Sequence, residues 1–229
     1  MSTQQLFVVR RCDGFYRFWH DVTDPVPMRQ AQALLDRLTH GYTRNTGPDD
    51  IEYYEIFAVD PVPGWRAGNP PMVRRLHRHD APAIEAHLLG LNAHDRRLRF
   101  FREATDAQIR TYVQGIDWDY SLLVGAIRTD RVVGMAEALL DRTVPPCHAE
   151  IAVSVDSDLR SQGLGRCLVA LAVDRAALLG VRETSLTFLQ ENRSIQRIIR
   201  TLGGRVDMED LVGVIPMGAP ANWDERLAA

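Results

Sequence analysis

The stretch Ala149-Glu150-Ile151-Ala152-Val153-Ser154-Val155-Asp156-Ser157-Asp158-Leu159-Arg160-Ser161-Gln162-Gly163-Leu164-Gly165-Arg166 decides the fold. It reads as a β-branched strand, a short acidic turn, a glycine loop and the first turn of a helix. Strand alternation puts Glu150, Ala152 and Ser154 on one face and Ile151, Val153 and Val155 on the other. The second face is core. The first carries one carboxylate beside small residues, which leaves room for a ligand. Gly163 and Gly165 let backbone amides approach that ligand closely. The helix that follows offers unpaired N–H groups and the positive end of its dipole. Such a junction suits a phosphate or pyrophosphate, and Arg160 and Arg166 add charge on either side.

Working outward, the pattern continues as a mixed α/β domain. Downstream, a helix over 165–179 carries Leu168, Leu171, Ala172 and Leu178 and stops at Gly180. A strand over 183–189, a helix over 193–202 and two closing strands follow. Upstream, 121–128 and 131–140 are strands around the turn Thr129-Asp130. Before them stand helices capped by Asp80 and Thr105 and a strand at 72–76. Consecutive strands imply mostly antiparallel pairing, and the later strand–helix–strand unit implies one parallel step. Residues 61–71 hold Pro61, Pro63, Pro70, Pro71, Gly64 and Gly68 and read as a linker. Residues 1–60 read as a small β-α-β extension with strands at 15–22 and 51–59 around a helix at 28–40. Such a piece buries little surface alone, so it packs on its neighbour or on a second copy. The main domain is placed at 72–218, with a C-terminal tail at 219–229.

Composition excludes several chemistries. The chain has 229 residues, 27 Lys+Arg against 30 Asp+Glu and a net charge of -3. All 27 basic residues are arginine, and no lysine occurs anywhere. A P-loop NTPase and a protein kinase each need a lysine on the phosphates, so both are excluded. Imine chemistry needs a side-chain amine and is excluded too. The near-neutral balance argues against a nucleic-acid binder. No run reaches the length of a membrane span, and the start lacks signal-peptide features, so the chain reads as cytoplasmic. Cys12, Cys147 and Cys167 have no ligand spacing and read as reduced thiols, Cys167 in the core. The seven histidines show no zinc spacing, so no metal is expected. Arg96, Arg97, Arg99 and Arg102 read as a solvated or ion-paired face.

Arg160-x-x-Gly163-x-Gly165, set between a strand and a helix, resembles the acetyl-CoA pyrophosphate motif of the GNAT superfamily of N-acetyltransferases. Asn192 matches that family's asparagine before the last long helix, and Leu202-Gly203-Gly204 resembles its Leu-Gly-Phe ending. The resemblance covers about residues 72–217. It implies the GNAT fold, a mixed and mostly antiparallel central sheet flanked by helices, and acetyl-CoA as acyl donor. It also implies a donor-binding set of Ile151, Ala152, Val153, Val155, Arg160, Ser161, Gln162, Gly163, Leu164, Gly165, Arg166 and Asn192. Leu98-Arg99-Phe100-Phe101, Thr105-Asp106 and Ala149-Glu150-Ile151-Ala152-Val153 together resemble the acetyltransferase domain of bacterial Pat-type protein lysine acetyltransferases. That narrower resemblance implies Glu150 as general base and a protein lysine as acceptor. A small-molecule amine is the alternative acceptor, and a non-catalytic acyl-CoA-binding regulator is the rival from another class. The family's thiol-protonating tyrosine falls, by count from Asn192, on Ile199. The oxyanion would meet the amide of Ile151 or Val153.

Overall fold

The computed structural model describes residues 6–13, 18–21, 26–27, 29–30, 33, 53–59, 71–129 and 131–217. The chain divides into two compact units, 1–61 and 62–229.

The first unit contains a four-stranded antiparallel sheet. Strand β1 (Leu6–Asp13) pairs with β2 (Phe18–Asp21), β3 (Val26–Pro27) and β4 (Tyr53–Val59). The β-α-β expectation omitted β1, the strand that all the others use. Its register runs from Leu6↔Val59 to Cys12↔Tyr53, a pairing across more than forty residues of chain. Of the helix expected at 28–40, Arg29, Gln30 and Ala33 are described, and they are helical. The expected linker, apart from Pro71, and the tail at 219–229 lie outside the described residues.

The second unit is built on a seven-stranded sheet in the order β10-β11-β9-β8-β7-β6-β5. Its strands are β5 (Met72–Leu76), β6 (Ser121–Arg128), β7 (Arg131–Leu140), β8 (His148–Val155), β9 (Glu183–Thr187), β10 (Arg205–Asp207) and β11 (Val212–Pro216). Every neighbouring pair is antiparallel except β8–β9. The apolar runs Leu122–Ile127 and Val132–Met135 suit strands covered on both faces, and β6 and β7 are buried accordingly.

Helices cover both faces. On one side lie α1 (Ala81–Gly90), α2 (Ala93–Phe100) and α3 (Asp106–Gln114). They bury Ile84, Leu88, Ile109 and Val113 against Leu76, Leu123 and Met135. On the other lie α4 (Leu164–Leu178) and α5 (Arg193–Thr201), which bury Leu168, Ala172, Ile195 and Ile199 against Val124, Ala136 and Ile151. The two clusters draw on alternate residues of the same strands, so they sit on opposite faces. Of the two caps expected from sequence, Thr105 acts as one, whereas Asp80 makes no side-chain cap bond and pairs with Arg74 instead. Thr105 forms a reciprocal capping box with Gln108, and the Asn92 and Asn192 side chains accept from Asp95 N and Ile195 N.

Candidate active site

The β8–β9 ladder is short. Its rungs are His148↔Glu183, Ala149↔Thr184 and Glu150↔Ser185, and there it ends. Strand β8 runs on to Val155 with its other edge still paired to β7. The phase of that pairing is fixed by Asp141 N donating to His148 O and Asp156 N donating to Val133 O. Backbone groups alternate along a strand, so Ile151, Val153 and Val155 direct theirs to the open side. Ile151 adjoins the last rung. Val153 is the first such residue beyond the ladder.

The open edge leads into a cleft of about 490 Å³. Val153 and Val155 form its floor, and Arg160, Ser161, Gly163, Leu164, Gly165 and Arg166 one end. Asn192, Ser194 and Ile198 come from the α5 side, and Leu91, Asp95 and Arg99 from the α1–α2 side. Gly163 caps α4 with φ 84, a left-handed conformation, and contributes no side-chain cap. The first N–H groups of α4 therefore lack a side-chain acceptor and face the cleft mouth. A Cβ on Gly165 would lie 3.3 Å from Ile198 Cδ1, so a close helix–helix approach also requires that glycine. Asn192 spends its carbonyl oxygen on capping α5 while its residue lines the cleft.

Several expected residues stand elsewhere. Glu150 lies on the last rung at the fork, exposed, and accepts a hydrogen bond of 3.0 Å from Thr187 Oγ1. It is outside the cleft wall, as are Ile151, Ala152 and Gln162. Ile151 is core, and Gln162 donates back to Asp158 O. Arg160 is committed within the protein. It bridges to Asp95 at 2.5 Å and donates to Val155 O at 3.1 and 3.2 Å.

Of the arginines read as a solvated or ion-paired face, Arg96, Arg97 and Arg99 are ion-paired, and the burial of Arg99 is what sequence reasoning missed. Arg99 is buried, not solvated, and bridges to Glu137 at 3.0 Å. It donates to Tyr112 Oη at 2.9 Å, and Tyr112 donates to Glu137 through a short bond. Burial opposes the Arg99 charge, but Tyr112 and Glu137 outweigh it and raise the pKa. Burial, with Glu137 adding to it, pushes the Tyr112 hydroxyl up and keeps the phenol protonated. Arg96 is tied to the carbonyls of Leu89, Leu91 and Ala104 and to Asp106. Only the spacing Asn92-x-x-Asp95 could have signalled any of this, as a cap. Cys167 is core as expected, with burial pushing its thiol up to about 11.

The model of the acetyltransferase (GNAT) family matches residues 89–203, half of the chain. The chain belongs to the GNAT acetyltransferase family. Solved structures agree at the level of fold. The GNAT domain of S. lividans PAT superposes with a TM-score of 0.56 at 17% identity, covering 66% of this chain and 92% of that one. A GNAT superfamily phosphinothricin acetyltransferase from Sinorhizobium meliloti, solved with AcCoA, gives 0.50 at 17% identity, covering 65% and 89%. A GNAT-family acetyltransferase from Staphylococcus aureus Mu50 gives 0.50 at 15% identity, covering 64% and 98%. This GNAT-family chain thus has the fold that the motif at 160–165 implied. Among its described residues no cluster of three metal-ligating side chains occurs, and no helix is long and apolar enough to cross a membrane.

Proposed function

We propose that this protein transfers acetyl from acetyl-CoA to a primary amine, with a protein lysine as acceptor and Glu150 as general base. The observation that carries the reading is the fork after Glu150↔Ser185, beyond which no described strand pairs this edge of β8, so that it opens onto the α4 N-terminus with the Val155 carbonyl held by Arg160. The pyrophosphate would sit on the amides at 163–166, and the pantetheine arm along the edge of Val153 and Val155. The Sinorhizobium meliloti neighbour holds AcCoA on the same fold, which supports this placement of the donor.

A lysine amine has a pKa near 10.4, so at neutral pH almost all of it is protonated. Glu150 stands at the fork, where it can take that proton, and Thr187 holds one of its oxygens. The neutral nitrogen then bonds to the thioester carbon. The oxyanion is met by the amide of Val153, which lies beyond the ladder, whereas Ile151 adjoins its last rung. Collapse breaks the C–S bond and leaves an amide and CoA. The thiolate takes its proton from solvent, because position 199 is a buried isoleucine. The exposure of Glu150 supports an acceptor presented on a protein surface.

The test is CoA release from acetyl-CoA in the presence of a lysine-bearing protein and a panel of small amines. Glu150→Gln should lower kcat on the order of 10²-fold or more while acetyl-CoA still binds. Release with small amines alone would move the acceptor to that class. Acetyl-CoA binding without release for any acceptor would make the protein an acyl-CoA-binding regulator.

A further inference from the structure

One buried group next to the cleft has no part in that chemistry. His87, on α1, has a fully buried side chain. Its Nε2 lies 2.9 Å from Ser154 Oγ, and its Nδ1 lies 2.9 Å from Asp156 Oδ1. Ser154 and Asp156 are two apart at the end of β8, so both side chains reach the same face and meet the ring from below. Ser154 lines the acetyl-CoA cleft. His87 and Asp156 line a smaller cavity of about 210 Å³ behind it, with Arg131 and Asp158.

The geometry points to a second reaction: Ser154 is a nucleophile that takes acetyl from acetyl-CoA, making the protein an acyl-CoA hydrolase when no amine is bound. This rests on the reading of the cleft as the acetyl-CoA site. A carboxylate beside Nδ1 favours the tautomer with its proton there, which leaves Nε2 as acceptor for the serine O–H. The carboxylate lies near Nδ1 but out of line with its N–H, so that Nδ1 lacks a hydrogen bond. A small rotation of the ring or the carboxylate closes it, and such bonds often tighten only when substrate is bound.

The steps balance. Ser154 Oγ bonds to the thioester carbon as its proton passes to His87 Nε2. The C–S bond breaks, and the imidazolium returns that proton to the departing sulfur, giving acetyl-serine and CoA. Water then adds to the ester carbon, His87 takes a proton from it, and the Oγ–C bond breaks. The imidazolium protonates Ser154, and acetate leaves. The net change is acetyl-CoA and water to acetate, CoA and one proton. On this route His87 supplies the thiol proton that Ile199 cannot. The polar cavity behind the ring has room for the water.

The absence of lysine makes the test clean, because an acetyl group on a side chain of this protein cannot be on an amine. The full chain is incubated with acetyl-CoA and no acceptor, and intact and peptide masses are followed with free CoA. Calorimetry reports acetyl-CoA binding separately. The expected result is one added acetyl on the peptide containing Ser154 and slow CoA release. Ser154→Ala should remove both. Ser154→Cys, which keeps a nucleophile in place, should accumulate an acetyl thioester that hydroxylamine strips. If wild type binds acetyl-CoA yet carries no acetyl at Ser154, and release is the same in Ser154→Ala, the hydrolase inference falls while the donor site stands. If acetyl-CoA does not bind at all, both fall.

Discussion

At residue scale, position 199 explains why one expected group is missing. Counting from Asn192 finds isoleucine where the family has a tyrosine, and the structure shows what the exchange does. Ile199 is fully buried, packed on two glycines. A Cβ on Gly213 would fall well inside the contact radius of Ile199 Cδ1. A Cβ on Gly204 would lie 2.6 Å from Val214 O and 2.9 Å from Ile199 O. The side chain and the glycines form one packing unit, and a tyrosine has no space there. Ile199→Tyr is therefore expected to destabilise by about 1–3 kcal/mol through overpacking and to bring no gain in kcat. Urea unfolding and CoA-release assays check the two halves. The same unit makes a sharper contrast. Gly213→Ala clashes first with a methyl group, so Ile199→Val, which removes that methyl, should recover part of its loss. Gly204→Ala clashes with two backbone carbonyls and with Ile199 Cγ2, which valine keeps, and should not be rescued. Equal rescue of both would contradict the packing described.

At element scale, α2 is held to the sheet by charge. The cap of α3 is legible because capping is local: Thr105 and Gln108 lie within a turn of the groups they satisfy, whereas the Asn92 cap of α2, equally local, went unread. The pairing of Arg99 with Glu137 is not legible, because 38 residues separate them and nothing in either segment marks the partner. The arginine cluster therefore reads as a solvated or ion-paired face, and the structure pairs three members and buries Arg99. Removing Glu137 leaves that guanidinium desolvated, so Glu137→Ala should cost about 3–5 kcal/mol in urea unfolding. The triple change Arg99→Met, Tyr112→Phe, Glu137→Leu removes every polar member and should restore stability close to wild type. A triple variant as unstable as the single one would refute a purely electrostatic cost. A second ion pair fixes the start of α1. Arg74 grips Asp80 at 2.7 and 2.8 Å, and the amide of His77 donates to the same carboxylate at 2.8 Å. Burial raises the Asp80 pKa, but these bonds outweigh it and hold it below its usual 3.8. A lowered folded pKa stabilises above the unfolded value and is lost as pH falls beneath it. Thermal stability should thus decline below about pH 4, and Asp80→Asn should flatten that decline while lowering the plateau.

At the scale of the molecule, the two units differ in how far sequence reasoning reached. In the second unit, β6 and β7 match the expected 121–128 and 131–140 because their apolar runs end in clear turns. The parallel step between β8 and β9 follows from the helix between them. In the first unit β1 went unread: Arg10 and Arg11 interrupt its apolar pattern, and its partners lie far along the chain. At the site, the glycine loop is legible as a local motif, whereas Asp95, Glu137 and His87 reach the cleft region through tertiary packing alone. Among the described residues, both buried clusters draw on Leu76 to Ile215, with Val73 and Met217 packed against one of them. Among the described residues, the cleft is lined by residues from Leu91 to Thr201. The second unit is therefore expected to fold alone and to bind the donor alone. A chain starting at Pro71 should unfold in one cooperative thermal transition. Acetyl-CoA at a hundred times its Kd should stabilise that chain by about 2.7 kcal/mol, as expected of any ligand that binds only the folded state. Calorimetry of the shortened chain with and without acetyl-CoA decides this. A broad transition would show that residues 1–61 complete the core, and a sharp one that acetyl-CoA leaves unmoved would show that they complete the donor site.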